Sequence, residues 1–334
     1  MNDQRCVVCG MAAPPTAVSC PNCGVPLAVD PGGNPMLKVA ASIGLALGKG
    51  YKVEELIGRG GYALVFRVHD ERLDRKLAAK TLIPQLIPND EIAERFRREA
   101  RTAARLTHPN IVPIYFVGTE EGAPCYVMPL VEGETLSARI RREGQLPIPV
   151  ALGVARDVSA ALDFAHQGGI VHRDVKPDNI LLELSSGRSL LMDFGIAKAL
   201  QQNTQITLSG VVLGTPHYLS PEQAAAEKEV DGRTDVYSLG VVIYEMLAGQ
   251  PPYDAKNAQA LVMQHVSAPI PSLAAHRPEV SAAFDAAMAK AMAKDPHDRF
   301  TTAGEFFAAL ENSHGGPGLR RSNSSVIVQQ SVDD

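Results

Sequence analysis

Three residues in the stretch "IVHRDVKPDNILL", at positions 170 to 182, could together transfer a phosphoryl group. Asp174 supplies a carboxylate that can orient a hydroxyl, Lys176 a cation for the phosphate, and Asn179 an amide oxygen for Mg²⁺. A further carboxylate, Asp193, follows in "LLMDFG". The polar residues of this stretch lie between two apolar runs, "GGIV" before them and "ILL" after them. A charged surface loop would not need such runs. The spacing therefore favours a phosphate-transfer site.

The segments before this stretch predict a mainly β region. Residues 51 to 56, "LVFRVHD" and "RKLAAKTL" have the composition of three successive strands separated by tight turns. A helix is predicted from about Asp90 to Leu106, and "IVPIYFVG" and "PCYVMPLV" predict two more strands. Beyond residue 135, apolar residues recur at helical spacing. We therefore expect an α+β fold with a β-rich first part and a helical second part.

A glycine-rich turn, "IGRGGYALVF" at positions 57 to 66, lies between the first two predicted strands. It begins a G-x-G-x-x-G pattern whose third glycine is replaced by Ala63. The same spacing opens dinucleotide sites, where a strand runs into a helix, and phosphate flaps, where a strand runs into a strand. A strand follows here, so the pattern favours a flap over phosphates.

The motifs taken in order resemble the protein kinase family. The glycine-rich turn is followed by "LAAK", which ends at Lys80, then by His172-Arg173-Asp174 and Asp193-Phe194-Gly195. Over residues 51 to 312 the chain looks most like the eukaryotic-like serine/threonine kinases of bacteria. The resemblance implies a two-lobed protein kinase fold, with a β-rich N-lobe over 51–130 and a helical C-lobe over 131–312.

Specific roles follow from this resemblance. Asp174 would be the base that accepts or orients the proton of the substrate hydroxyl, and Lys176 would steady the γ-phosphate and favour Ser/Thr substrates over Tyr. Asn179 and Asp193 would hold Mg²⁺, or Mn²⁺, against the phosphates of ATP. The implied substrates are serine and threonine hydroxyls of proteins. A pseudokinase or scaffold, with the fold but without the chemistry, is the alternative.

Lys80 needs an acidic partner on the predicted helix, which contains Glu91, Glu94 and Glu99. An apolar stripe at helical spacing runs along that helix, and Glu99 falls within the stripe. An acid on an apolar stripe is costly unless it is paired. We therefore expect Glu99 to bind Lys80, as the alignment with the kinase family also implies.

The resemblance further implies an ATP site made of the phosphate flap, an apolar adenine pocket, a gatekeeper at Met128 and a hinge ending at Val131. Its expected residues are Ile57, Gly58, Arg59, Gly60, Gly61, Val65, Ala78, Lys80, Met128, Val131, Leu181, Asn179 and Asp193.

An activation loop is expected between Asp193 and "SPE" at 220 to 222. Thr207 and Ser209 are our candidate phosphorylation sites in it, because a phosphate there could pair with Arg173. Autophosphorylation by a homodimer during activation is a hypothesis that the resemblance raises.

Four of the five cysteines form two C-x-x-C-G knuckles, Cys6/Cys9 and Cys20/Cys23. Four thiolates at this spacing can hold a metal tetrahedrally, and ten residues between the knuckles favour a zinc ribbon. We expect structural Zn²⁺ at residues 1–30, with a rubredoxin-like iron site as the rival.

Composition places limits on the remaining functions. The formal net charge of -5 argues against nucleic acid as a main partner, and no run is apolar and long enough to predict a membrane span. No signal peptide is predicted either, so a cytoplasmic location is expected. A linker is expected over 31–50 and a disordered tail over 313–334.

Overall fold

The computed structural model describes residues 4–5, 12–13, 35–60, 63–84, 90–119, 122–194, 216–227 and 230–314. Two short strands, β1 (Gln4–Arg5) and β2 (Ala12–Ala13), pair in antiparallel fashion near the N-terminus. The four N-terminal cysteines lie outside the described residues, so the expected metal site there stays a prediction. No helix in the described part of the chain combines the length and apolar character needed to cross a membrane.

The N-lobe is built on a five-stranded antiparallel sheet with the order β3-β4-β5-β7-β6. Its strands are β3 (Tyr51–Arg59), β4 (Ala63–Asp70), β5 (Arg75–Leu82), β6 (Phe116–Val117) and β7 (Cys125–Pro129). The predicted hairpin of the glycine-rich turn is confirmed, because β4 pairs with β3 directly after it. Strand β6 is shorter than "IVPIYFVG" predicts, and Pro113 explains this, since proline cannot donate to a strand ladder.

One helix covers each face of this sheet. Helix α2 (Asp90–Ala103) lies on the face that carries Ala78, Tyr126 and Met128. It ends three residues before the predicted Leu106. Helix α1 (Pro35–Leu47) covers the opposite face, within the segment that the sequence suggested as a linker. Strands β4, β5 and β7 are therefore covered on both sides, while the edge strand β3 has no buried residue.

The C-lobe is helical and has the largest apolar core of the described residues. Its helices are α3 (Leu136–Glu143), α4 (Ile148–Gln167), α5 (Pro221–Ala224), α6 (Arg233–Ala248), α7 (Ala258–Ser267), α8 (Ala282–Ala291) and α9 (Ala303–His314). The C-lobe also contains a small antiparallel sheet of β8 (Gly133–Thr135), β9 (Ile180–Glu183) and β10 (Ser189–Leu191). The expected two-lobed arrangement is confirmed.

A buried ion pair links the C-lobe elements. Arg299 donates to both carboxylate oxygens of Glu222, at 2.8 and 2.7 Å, and its remaining N–H groups donate to the carbonyls of Ala293, Arg233 and Lys294. Burial alone would raise the pKa of Glu222, but the hydrogen bonds and charge of Arg299 outweigh this and lower the pKa. With all five guanidinium donors used, Arg299 joins α5 to the start of α6.

Candidate active site

The residues between α4 and β9 form a loop that ends in a 3-10 turn (Pro177–Asn179) and is anchored by one buried carboxylate. Asp235, in the first turn of α6, accepts the backbone N–H groups of His172 and Arg173 at 2.8 and 2.7 Å. The ring of His166 donates to the same carboxylate at 2.7 Å. Arg173 has a φ of 65°, a left-handed conformation that is strained for a non-glycine residue. Asp235 thus fixes the sharp turn that presents Asp174.

His172 holds the other side of this loop. Its side chain is fully buried, and its Nε2 donates to the carbonyl of Met192 at 2.9 Å. Its Nδ1 accepts the backbone N–H of Asp174 at 3.2 Å, and its ring meets the ring of Phe194 edge-on at 4.6 Å. His172 therefore connects the loop that carries Asp174, called the catalytic loop below, to the residues around Asp193.

The three side chains that the sequence suggested as a catalytic group converge. Lys176 Nζ lies 2.7 Å from Asp174 Oδ2, and the amide of Asn179 donates to the same oxygen at 2.9 Å and to the Asp174 carbonyl at 2.8 Å. Asp174 and Lys176 remain partly exposed, with 24% and 32% of their side chains accessible. A hydroxyl group of a second molecule can therefore approach the Asp174 carboxylate.

Asp193, a C-lobe residue, lies beside this group where N-lobe side chains contact it. The backbone N–H of Met192 donates to the carbonyl of Asn179 at 3.0 Å, which brings the segments carrying Asp193 and Asn179 together. Asp193 itself has a φ of 69°. A carboxylate and an amide oxygen are hard ligands of the kind that Mg²⁺ prefers. The donor set of this structure therefore fits the expected cation.

Two donors from the N-lobe bind the Asp193 carboxylate. Lys80 Nζ forms an ion pair with Oδ2, and the hydroxyl of Tyr126 donates to Oδ1 at 2.7 Å. Burial alone would raise the pKa of Asp193, but the charge of Lys80 and the two hydrogen bonds outweigh it, and the pKa lies below its usual range. Burial, together with the Asp193 charge, raises the pKa of Tyr126 well above its usual value. Asp193 is therefore ionised and Tyr126 keeps its proton near neutral pH.

The structure pairs Lys80 with Asp193, where the sequence led us to expect Glu99. The ion pair of Lys80 within the described residues is with Asp193, while Glu99 is half-buried on α2. The side chain of Asp193 is 11% exposed, and the charge of Lys80 compensates the cost of burying this carboxylate. The expected position of Glu99 on α2 is confirmed, but the sequence could not show that Asp193, from the other lobe, would pair with Lys80 instead.

The expected adenine-pocket residues lie in one apolar cluster. Ala78 and Met128 belong to its buried part, and Val65, Val131 and Leu181 pack against it. Register explains part of this arrangement, because Ala78 and Met128 are directly opposite each other on β5 and β7. The structure thus brings these five residues together between the lobes.

The structure describes the phosphate flap except for residues 61 and 62. Ile57, Gly58 and Arg59 end β3, and the Gly60 N–H donates to the Ala63 carbonyl at 2.8 Å. Ala63 is not among the described non-glycine residues with positive φ, so alanine fits the place of a third glycine. Gly61, Thr207 and Ser209 lie outside the described residues, and their roles stay predictions.

Sequence reasoning missed Tyr126 as a site residue. Tyr126 and Met128 alternate on β7 and so face the same side of the sheet, where Lys80 is the direct cross-strand neighbour of Tyr126. A tyrosine in an otherwise apolar strand, in register with Lys80, was the available signal. Its partner Asp193 is 67 residues away in the chain and carries no local mark of the contact.

Comparisons with known proteins agree with this geometry. A family model described as "Protein kinase domain" matches residues 51–310. The serine/threonine-protein kinase PknB of Mycobacterium leprae is 42% identical over 271 residues, which cover 80% of this chain and 43% of that protein. PknH of Mycobacterium bovis is 38% identical over 284 residues, covering 83% of this chain and 47% of that protein. The chain thus spans less than half the length of these relatives.

A crystal structure of the Mycobacterium tuberculosis PknI kinase domain superimposes with a TM-score of 0.65 at 32% identity. The match covers 80% of this chain and 98% of that one. The family match, the relatives and the fold all point the same way. This chain belongs to the protein kinase family.

Proposed function

We propose that this chain is a serine/threonine protein kinase that transfers the γ-phosphoryl group of Mg·ATP to protein hydroxyls. The observation that carries the proposal is the convergence of Asp174, Lys176 and Asn179 on one partly exposed turn beside Asp193. The relatives named as serine/threonine-protein kinases support the same activity. Lys80, Asp174, Asn179 and Asp193 are all residue types that can carry out the expected chemistry, and this disfavours a pseudokinase.

The chain's own residues suggest how transfer proceeds. Asp174 accepts a hydrogen bond from the substrate hydroxyl, whose oxygen forms a bond to the γ-phosphorus while the bond to the β-phosphate oxygen breaks. The hydroxyl proton passes to Asp174, and ADP leaves. Lys176 balances charge on the transferred phosphoryl group. Asn179 and Asp193 would hold the metal, which neutralises phosphate oxygens when bound.

Transfer can be tested with the purified chain, ATP and a general Ser/Thr protein substrate. We expect Mg²⁺-dependent phosphate incorporation on serine and threonine but not on tyrosine. The matched variant is Asp174→Asn, which should lower the rate by about 10²- to 10⁴-fold because it removes the proton acceptor. Incorporation at the same low level by the original chain and the variant would refute the enzyme and favour a scaffold.

We propose that Thr207 or Ser209 is phosphorylated during activation and that the phosphate pairs with Arg173. What supports this is the anchoring of Arg173, whose backbone is held by Asp235 and whose carbonyl accepts the side-chain amide of Gln223 at 2.9 Å. Phosphorylation of one copy by another is the hypothesis for how it begins. Dilution tests it. The rate of phosphorylation per enzyme molecule falls on dilution if one molecule acts on another, whereas it stays constant if the reaction occurs within one molecule.

We propose that Cys6, Cys9, Cys20 and Cys23 hold a structural Zn²⁺ ion. The support is their paired spacing, since four thiolates suit Zn²⁺. Four cysteines within the first 23 residues are too clustered for a secreted protein of this size that is held together by disulfides. Metal analysis of the purified chain should find one zinc per molecule, and a Cys6→Ser/Cys9→Ser variant should lose it. One iron per molecule would favour the rubredoxin-like rival.

A further inference from the structure

Tyr126 is a buried tyrosine whose ring is held in a fixed place. It is only 2% exposed and lies in the apolar cluster between the sheet and α2. Its ring stacks on that of Phe96 from α2, with centroids 5.6 Å apart and planes inclined by 29°. Its strand pairs with β5 so that Tyr126 and Lys80 are direct neighbours. The phenol is therefore carried by two packed elements and cannot swing freely.

The hydroxyl of this ring has a polar partner in an otherwise apolar environment. It donates to Asp193 Oδ1 at 2.7 Å, while Lys80 engages Oδ2. A hydroxyl buried without a hydrogen bond is costly, and phenylalanine would fill the same space without that risk. Packing alone thus gives no reason for a tyrosine here, whereas the bond to Asp193 does.

The two donors differ in rigidity. Lys80 has a flexible four-carbon stem and can follow a moving charge, so it does not fix the plane of the carboxylate. Tyr126 is held by Phe96 and the sheet, so its hydroxyl defines where Oδ1 lies. Carboxylates that bind metals depend on such outer hydrogen bonds for their orientation, and removing one commonly weakens metal affinity by about 10- to 100-fold.

We propose that Tyr126 is a positioning residue that orients the Asp193 carboxylate for the Mg²⁺ ion of Mg·ATP. The inference rests on the proposed kinase function and assigns a residue to it beyond the motif positions. Because Phe96 belongs to α2, the hydroxyl also connects the position of that helix to the metal ligand.

The test compares the Tyr126→Phe variant with the original chain in nucleotide binding rather than activity alone. A fluorescent ATP analogue is titrated in the presence of EDTA and again at increasing Mg²⁺ concentrations. We expect metal-free binding to change by less than about twofold. The Mg²⁺ concentration that gives half of the metal-dependent enhancement should rise about tenfold.

Tyr237→Phe is the matched control, since it also removes a buried hydroxyl with a 2.9 Å hydrogen bond, to His265 in the C-lobe. It should leave the Mg²⁺ dependence unchanged. Thermal unfolding of both variants checks that each is folded, and the loss of one oxygen atom should shift the midpoint by only a few degrees.

Three results separate the possible outcomes. An unchanged Mg²⁺ dependence in Tyr126→Phe, or tighter Mg²⁺ binding, overturns the positioning role. An equal shift in Tyr237→Phe also overturns it, because the effect would then come from general loosening. If the original chain itself shows no Mg²⁺-dependent binding of the ATP analogue, the proposed function fails, and that result is distinct from the other two.

Discussion

At the scale of single residues, the site depends on how buried carboxylates are compensated. Asp193 has two donors from the N-lobe, and Asp235 accepts three hydrogen bonds at the base of the catalytic loop. Buried charges of this kind destabilise a fold unless they are paired and hydrogen-bonded. The pairing therefore makes the active site part of the stability of the molecule.

Replacing Lys80 should reveal this dependence. Lys80→Met leaves the Asp193 carboxylate buried without its cation, so the free energy of unfolding should fall by about 3 kcal/mol at pH 7. Urea denaturation at several pH values measures it. Lys76→Met is the control, because Lys76 is exposed on the same strand and its loss should change stability little.

The pH dependence of the Lys80→Met variant should have a definite sign. In the original chain the pKa of Asp193 is lowered, so its contribution to stability is present above the unfolded pKa and is lost as the pH falls through the folded value. Without Lys80, burial should raise the pKa of Asp193 instead. The stability deficit of the variant should then shrink as the pH falls toward about 4. A deficit that stays constant with pH would contradict the account.

Sequence reasoning succeeded where chemistry is encoded within a few residues. The Asp174, Lys176 and Asn179 group could be predicted because one turn carries all three. The partner of Lys80 could not, because two carboxylates compete for it and their relative burial is a property of the assembled lobes. The contact between Tyr126 and Asp193 has the same character.

At the scale of elements, α1 packs on the N-lobe sheet but is not predicted by the kinase motifs. Val39, Ile43, Ala46 and Leu47 are buried against the outer face of the sheet. The carbonyls of Ser42 and Ala46 accept the N–H groups of Ala123 and Thr119. The sequence showed an apolar segment between turn formers, and helix formation there depends on the sheet it packs against.

A substitution in α1 should destabilise the kinase lobe. Ile43→Ala deletes a fully buried side chain and should lower the free energy of unfolding by about 2 to 5 kcal/mol. Leu45→Ala, on the same helix, removes a side chain that is 66% exposed and should have an effect within about 0.5 kcal/mol. Chemical denaturation compares the two variants, and similar small effects would show that α1 is not part of the core.

At the scale of the whole molecule, the folded kinase unit extends beyond the family match. The family model begins at residue 51, but α1 begins at Pro35 and shares a core with the strands that follow. The two-lobed fold itself could be predicted from the order of the motifs. The earlier start could not, because the motifs do not show which face of the sheet is left to be covered.

Two truncated chains should therefore behave differently. A chain of residues 35–314 keeps α1 and should fold with a stability close to that of the full chain. A chain of residues 51–314 exposes the sheet face that α1 covers and should lose roughly 5 kcal/mol, or aggregate. Thermal unfolding and size-exclusion chromatography distinguish them. Equal stability of the two chains would mean that α1 adds nothing to the fold.

The central claim is that this chain transfers phosphate from ATP to serine and threonine. Mass spectrometry of the purified chain after incubation with Mg·ATP tests it most directly, because it reports the number and position of the phosphates formed. We expect phosphates on serine or threonine, including Thr207 or Ser209, and we expect them to be absent from the Asp174→Asn variant treated in the same way. Phosphate gained equally by the original chain and the Asp174→Asn variant, or by neither, would contradict it.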